Sequence, residues 1–247
     1  MKTIKKQDSI GFTLIELSIV LVIIGLIVAA IVASQELVKQ SRLNAIVTEA
    51  NEFTAAFNAF NLQYNQWPGD MDNASSYWSG CTDAASNNCD GDDDRALDWT
   101  SGQTDKESTR FWQHLSLSGI LPGDYDGAAS ESVPYEPAGS TTPVSSYPKG
   151  HWRTHDDWLL HNDTVYHKVF VLTQSSSSIN WRAILTPTEA HAIDAKIDDG
   201  KGLSGIVRPT QGKNASNAWY AAANCVDLTN DYDLDQAAQT CVLAIRY

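Results

Sequence analysis

Proline is missing from the first 67 residues of the chain, and glycine occurs there only as Gly11 and Gly25. Nothing local therefore breaks a helix between residues 26 and 66, and Pro68-Gly69 is the first strong stop. Basic charge is also scarce: 17 Lys and Arg stand against 30 Asp and Glu, a net charge of −13. That balance argues against nucleic acid as a main partner, because phosphate contacts need clustered Lys and Arg. Cysteine is limited to Cys81, Cys89, Cys225 and Cys241. Neither neighbouring pair has C-x-x-C spacing, so a zinc site is not expected. Catalytic motifs are missing too. Gly202-Leu203-Ser204-Gly205 lacks the G-x-S-x-G spacing, and no phosphate-binding loop and no H-E-x-x-H occurs. The chain does not read as an enzyme.

What is present begins near the N-terminus. Residues 17–33 carry no charge and no proline, and Ser18 is their only polar side chain. With residues 12–15 in front, the run is long enough to cross a bilayer as a helix. Glu16 breaks the pattern. A carboxylate beside hydrocarbon costs at least a few kcal/mol, so it implies a function and a partner. Upstream, Lys2, Lys5 and Lys6 form a basic head, and Gly11 meets Phe12 at the edge of the apolar run.

Gly11-Phe12-Thr13-Leu14-Ile15-Glu16 followed by an uncharged helix resembles the class III signal of type IV pilins and type II secretion pseudopilins. The resemblance implies a prepilin peptidase that cuts between Gly11 and Phe12 and methylates the new N-terminal residue, Phe12. Glu16 becomes the fifth residue of the mature chain. The amine at Phe12, a cation with a reference pKa of about 8, then meets the Glu16 carboxylate of a neighbouring subunit and sets its register. Other pilin or pseudopilin subunits, the peptidase, an inner-membrane assembly platform and membrane lipid are the partners implied. Many type IV pilins and the major pseudopilins carry a helix-breaking proline late in the apolar segment. Residues 29–33 have none, which points to a minor subunit. Two other readings compete. An ordinary secretory signal cut near Ala30 or Ala33 conflicts with Glu16 inside its apolar region and with the helix periodicity that continues past the cut. A simple membrane anchor leaves Glu16 merely tolerated.

The leader lysines place the N-terminus in the cytoplasm, so the rest of the chain is exported. Loss of residues 1–11 removes three lysines and Asp8, a net change of −2 that brings the mature charge to −15. In an oxidising compartment four cysteines allow three connectivities; the two short closures, Cys81–Cys89 and Cys225–Cys241, are favoured. The second resembles the C-terminal disulfide loop of many type IV pilins.

Beyond residue 33 the run turns amphipathic without a break. Leu43, Ile46, Val47, Ala50, Phe53, Phe57, Phe60 and Tyr64 recur at three- and four-residue steps, the stripe of a helix with one buried face. Residues 12–64 are thus expected as one helix. A short helix is expected over residues 108–117, an exposed loop over 127–150, and strands over 166–173 and 179–185 that form a hairpin. Thr186-Pro187-Thr188-Glu189 reads as a capping box that opens a helix closed by Asp198-Asp199-Gly200. Residues 206–208 and 242–247 are short strand candidates. The fold class expected is α+β and pilin-like: a long N-terminal helix on a small antiparallel sheet. Its parts are a leader (1–11), a membrane or filament-core helix (12–34), the amphipathic half of that helix (35–64) and an exported, periplasmic head (65–247).

Three clusters compete for ligands. Asp90, Asp92 and Asp94 alternate as in an EF-hand, but position six is Arg95 and no Glu stands at position twelve. A non-EF calcium (Ca2+) site there, or at Asp231, Asp233 and Asp235, remains a candidate, and calcium in some major pseudopilins supports it by resemblance. His151, His155, His161 and His167 alternate with Trp152, Arg153, Trp158 and Tyr166 and match no zinc signature, so an aromatic surface or core edge is expected. The functional expectation is a structural subunit, a minor one, of a type IV pilus or a type II secretion pseudopilus. The alternative is a pilin-anchored adhesin whose 127–167 region binds a ligand.

Overall fold

The computed structural model describes residues 13–81, 89–97, 107–128, 138–157, 167–174, 181–214, 216, 218, 224–227, 229 and 231–247. The long helix α1 runs Leu14–Tyr64. Its first half is rich in Val and Ile, which are only moderate helix formers in water. A hydrocarbon environment reverses that preference, because a helix satisfies all its backbone groups internally. Ser18 and Ser34, polar residues in this stretch, donate back to the carbonyls of Ile15 and Ile31 at 2.8 Å each. The helix ends where Asn65 takes a left-handed conformation (φ 55°) and donates its N–H to the carbonyl of Asn61. Gly69 follows at φ 92°, pressed against the backbone of Glu107 and Phe111, where a side chain has no room.

Two units divide the chain, Met1–Arg42 and Leu43–Tyr247. In the described part of the first, every apolar side chain of α1 is exposed. Among the described residues α1 is the one helix long and apolar enough to cross a membrane.

The second unit is built on the rest of α1. Leu43, Ile46, Ala50, Phe53, Ala56 and Phe60 form its buried face. The other elements are α2 (Ala74–Tyr77), α3 (Glu107–Leu117), β1 (Gly150–Asp157), β2 (His167–Gln174), α4 (Pro187–Ile197), β3 (Thr210–Gln211) and β4 (Cys241–Arg246). The four strands make one antiparallel sheet of order β1-β2-β4-β3. Phe53 joins the layers. Its ring lies 5.0 Å from Trp112 on α3, 5.5 Å from Trp152 on β1 and 5.7 Å from Phe170 on β2, within the range of favourable aromatic pairing. Along β2 and β4 side chains alternate faces. Phe170, Leu172, Leu243 and Ile245 join this core, while Val169, Val171, Val242 and Ala244 form a second cluster against Trp181. The chain is α+β, a long apolar helix on a small antiparallel sheet with loop-rich connections.

The capping box opens α4 as its sequence indicates. Thr186 N–H donates to the Glu189 carboxylate at 2.9 Å, Glu189 N–H returns to Thr186 Oγ1 at 3.3 Å, and Pro187 fills the first turn. Disulfides join Cys81 to Cys89 and Cys225 to Cys241, with Cα atoms 5.4 and 5.3 Å apart.

Two expectations are corrected. The partner of β2 in the hairpin is β1; of the expected partner strand 179–185, residues 179 and 180 lie outside the described residues, and Arg182 and Leu185 make only isolated bridges, to Lys213 and Cys241. Strand β1 escaped a period-two reading because its polar side chains are buried along with Trp152: His151, Arg153 and Thr154 all lie inside. The stretch expected as an exposed loop is exposed only in part. Thr141, Thr142, Ser145 and Tyr147 are buried; the hydroxyls of Thr141, Ser145 and Tyr147 donate to Asp126, Glu49 and Glu189.

Candidate functional site

The first turn of α1 carries the charged group that sequence singled out. Glu16 accepts both the backbone N–H and the hydroxyl of Thr13, at 2.9 and 2.8 Å, and its own N–H donates to Thr13 Oγ1 at 3.2 Å. This reciprocal pattern is that of a capping box. It satisfies two of the orphan donors at a helix start, and the carboxylate also complements the positive end of the helix dipole. Gly11 and Phe12 lie outside the described residues. After Glu16, apolar side chains from Leu17 to Val38 cover the helix on every side, with no partner among the described residues. Such a surface calls for lipid or other apolar helices.

Glu49 is a structural tie that the search for motifs missed. It accepts hydrogen bonds from Trp152 Nε1 (2.6 Å), Ser145 Oγ (2.7 Å) and Ser146 N–H (2.7 Å), so one carboxylate on α1 fastens β1 and the loop before it. A cue existed: Glu49 falls between Ile46 and Phe53 on the buried stripe.

A second polar centre joins the end of α1 to α3. Asp70 is fully buried and accepts the N–H groups of Arg95 (2.9 Å) and Asp94 (3.2 Å). Burial is the main cause that pushes its carboxyl up to about 6, and Asp92, Asp93 and Asp94 add to it. Carboxylate oxygens of Asp70, Asp92, Asp94 and Glu107 lie within 4.8 Å of one another. Asp90, expected beside Asp92 and Asp94, turns instead to Ser75, accepting its N–H at 2.7 Å and its hydroxyl at 2.9 Å. The oxygen-only donor set of the four-carboxylate group is of the kind calcium takes. Asp231, Asp233 and Asp235 form no such group among the described residues.

His114 lies beside this centre, fully buried on α3. Gly69 N–H donates to its Nδ1 at 2.9 Å, which places the ring proton on Nε2, directed at the carbonyl of Cys89 at 3.0 Å. Burial pushes the imidazole down to about 4. On α4, buried Asp194 accepts the hydroxyl of Tyr232 at 2.6 Å, and burial raises its carboxyl.

The histidine-rich stretch is core and core edge where it is described. His151 and Trp152 are buried, and the His155 ring and the Arg153 guanidinium face Trp181 at 5.3 and 5.4 Å. Trp158, His161 and Tyr166 lie outside the described residues.

No curated protein and no solved structure matches the chain. Residues 7–32 match the family model of the prokaryotic N-terminal methylation motif. That match spans Gly11, Phe12, Glu16 and most of the apolar run, the segment whose exposed helix has just been described. The chain thus carries, over residues 7–32, the prepilin signal found in type IV pilins and pseudopilins.

Proposed function

We propose that the chain is a minor subunit of a type IV pilus or a type II secretion pseudopilus. It enters the inner membrane with its N-terminus in the cytoplasm and its head in the periplasm. Prepilin peptidase cuts after Gly11, and Phe12 is methylated. An assembly platform then moves the subunit from lipid into a filament, where residues 12–34 pack against the same segment of other subunits. The observation that carries this reading is the union of the methylation motif with a first half of α1, residues 14–38, none of whose side chains is buried. The transfer exchanges lipid for protein around the same surface, so its free energy comes from packing and from polar contacts rather than from loss of water. Glu16 supplies the polar contact. Its carboxylate leaves the Thr13 cap and meets the amine of a neighbour's Phe12, a pair that fixes axial register. Glu16→Ala leaves cleavage intact and removes the chain from filaments.

The test is an immunoblot of sheared surface filaments against membrane and periplasmic fractions, with a strain lacking prepilin peptidase as control. Protein in the sheared fraction that is lost in the control supports a pilus subunit. Processed protein held in the envelope supports a pseudopilus. Unchanged size and location without the peptidase contradicts both.

A further inference from the structure

One aromatic cluster of the second unit has no role in the account above. Tyr64 ends α1, Tyr77 ends α2, and Trp78 follows it. The Tyr64 ring stands edge-on to Tyr77 at 5.4 Å and to Trp78 at 5.5 Å, and Tyr77 and Trp78 lie 5.9 Å apart. The inner side of the cluster is anchored: Tyr64 packs on Phe60 at 4.5 Å, and Trp78 on the buried His114 at 5.7 Å. The outer side is open. Tyr77 is 58% exposed, and Tyr64 and Trp78 are half-buried.

Three neutral polar groups accompany these rings and have no hydrogen-bond partner among the described residues. They are the Tyr77 hydroxyl, the Trp78 indole N–H and the exposed side-chain amide of Asn73, one helical turn before Tyr77. Fixed apolar faces with unspent donors and acceptors beside them suit a ligand that is apolar on its faces and hydroxylated around its rim. A pyranose with equatorial hydroxyls is such a ligand, because its axial C–H groups meet the negative face of an aromatic ring. Other classes fit less well. Residues 61–80 contain no Lys or Arg and the net charge is −13, so phosphates, nucleic acid and acidic glycans are repelled. The rings contact one another and leave no space between them to cage a cation. A lipid surface needs aliphatic side chains, whereas Gln63, Asn73, Ser76 and Ser79 are the exposed neighbours in sequence. The exposed Leu62 is two residues from Tyr64 and so on another face of α1.

We propose that Tyr77, backed by Tyr64 and Trp78, is a binding platform for a neutral β-1,4-linked polysaccharide of glucose or N-acetylglucosamine. One sugar ring stacks on the exposed face of Tyr77. The Asn73 amide, the Tyr77 hydroxyl and the Trp78 N–H bond to its hydroxyl or acetamido groups. A β-1,4 linkage keeps the polymer extended and flat, so it lies along a surface, whereas an α-1,4 linkage coils it away. Rings already held by Phe60 and His114 lose little freedom on binding, which favours even a shallow site. The platform lies wholly within the second unit and outside residues 127–167. It therefore stands or falls independently of how the first unit assembles.

The test is a titration of the full chain, in a detergent without a sugar headgroup, with cellohexaose and with chitohexaose. Calorimetry and tryptophan fluorescence report binding. At least one of the two should bind saturably, and the α-1,4-linked maltohexaose should bind much more weakly. Tyr77→Ala, at an exposed ring, should weaken binding about tenfold or more. Tyr77→Phe, which keeps the stacking face, should fall between that variant and the wild type, and Asn73→Ala should weaken binding severalfold. Urea midpoints of the variants should match the wild type, which separates loss of the platform from loss of the fold. No saturable binding of either β-linked oligosaccharide overturns the proposal. So does binding that Tyr77→Ala and Asn73→Ala leave unchanged, or that maltohexaose equals.

Discussion

Thr13 and Glu16 close on each other at the head of α1, each side chain accepting the other's backbone N–H. The carboxylate that the proposed assembly pairs with a neighbour is therefore satisfied within its own chain. The arrangement offsets part of the cost of carrying Glu16 beside hydrocarbon, and under the proposed pairing Thr13 is the group that a neighbour's amine displaces.

Thr13→Val keeps the side-chain volume and deletes the cap. Loss of an N-cap hydroxyl costs about 1 kcal/mol, a roughly five-fold change in local opening. Amide exchange at Glu16 in detergent micelles should quicken by about that factor, with cleavage after Gly11 unchanged. An unaltered exchange rate would show that the cap does not hold the first turn.

Glu49→Ala leaves the donors of Trp152, Ser145 and Ser146 without their acceptor inside the protein. Unsatisfied buried donors cost about 1–3 kcal/mol each, and a loss near 3 kcal/mol is expected. Urea unfolding of the full chain in detergent, followed by tryptophan fluorescence, should show an earlier midpoint. Glu49→Gln, which retains one acceptor oxygen, should fall between the variant and the wild type.

Asp70 and His114 bias the acid response in opposite directions. The folded pKa of Asp70 is raised from 3.8 to about 6, so its contribution is present below pH 3.8 and is lost as pH rises through 6. That of His114 is lowered from 6.5 to about 4, so its contribution is present above pH 6.5 and is lost as pH falls through 4. Between pH 4 and 6.5 the two largely offset each other. Asp70→Asn removes the first alone, and the urea midpoint of that variant should drop on acidification more steeply than that of the wild type. Parallel pH profiles for the two proteins would contradict this.

Replacing Cys225 and Cys241 together by serine should cost about 3 kcal/mol, the value for a closed loop of about 15 residues, here with a sequence separation of 16. Cys241 begins β4 and exchanges backbone hydrogen bonds with Leu185, so loss of the bridge should also raise proteolysis around residue 227. Unchanged thermal melting of the double variant would contradict the estimate.

Much of the fold was legible because its strongest elements are local. The stripe from Leu43 to Phe60, the Thr186–Glu189 box and the proline-free first 67 residues each mark a helix within a few turns of chain. Strand β1 was not legible, since its identity depends on what covers it. Arg153 and Thr154 look like surface residues until β2 and β4 are in place. The same holds for the four-carboxylate group. Asp92 and Asp94 were visible as an acidic run, but Asp70 and Glu107 come from distant parts of the chain, and Asp90 is diverted by Ser75. The apolar run was legible as a helix long enough to cross a membrane, and its apolar side chains are exposed in the structure.

The most direct test of the central claim is mass spectrometry of the N-terminal peptide of the chain purified from its own membrane. The account predicts a chain that begins at Phe12 with one methyl group on its amine, and a chain that still begins at Met1 in cells without prepilin peptidase. A chain that begins near residue 31 or 34, or an N-terminus indifferent to the peptidase, would contradict it.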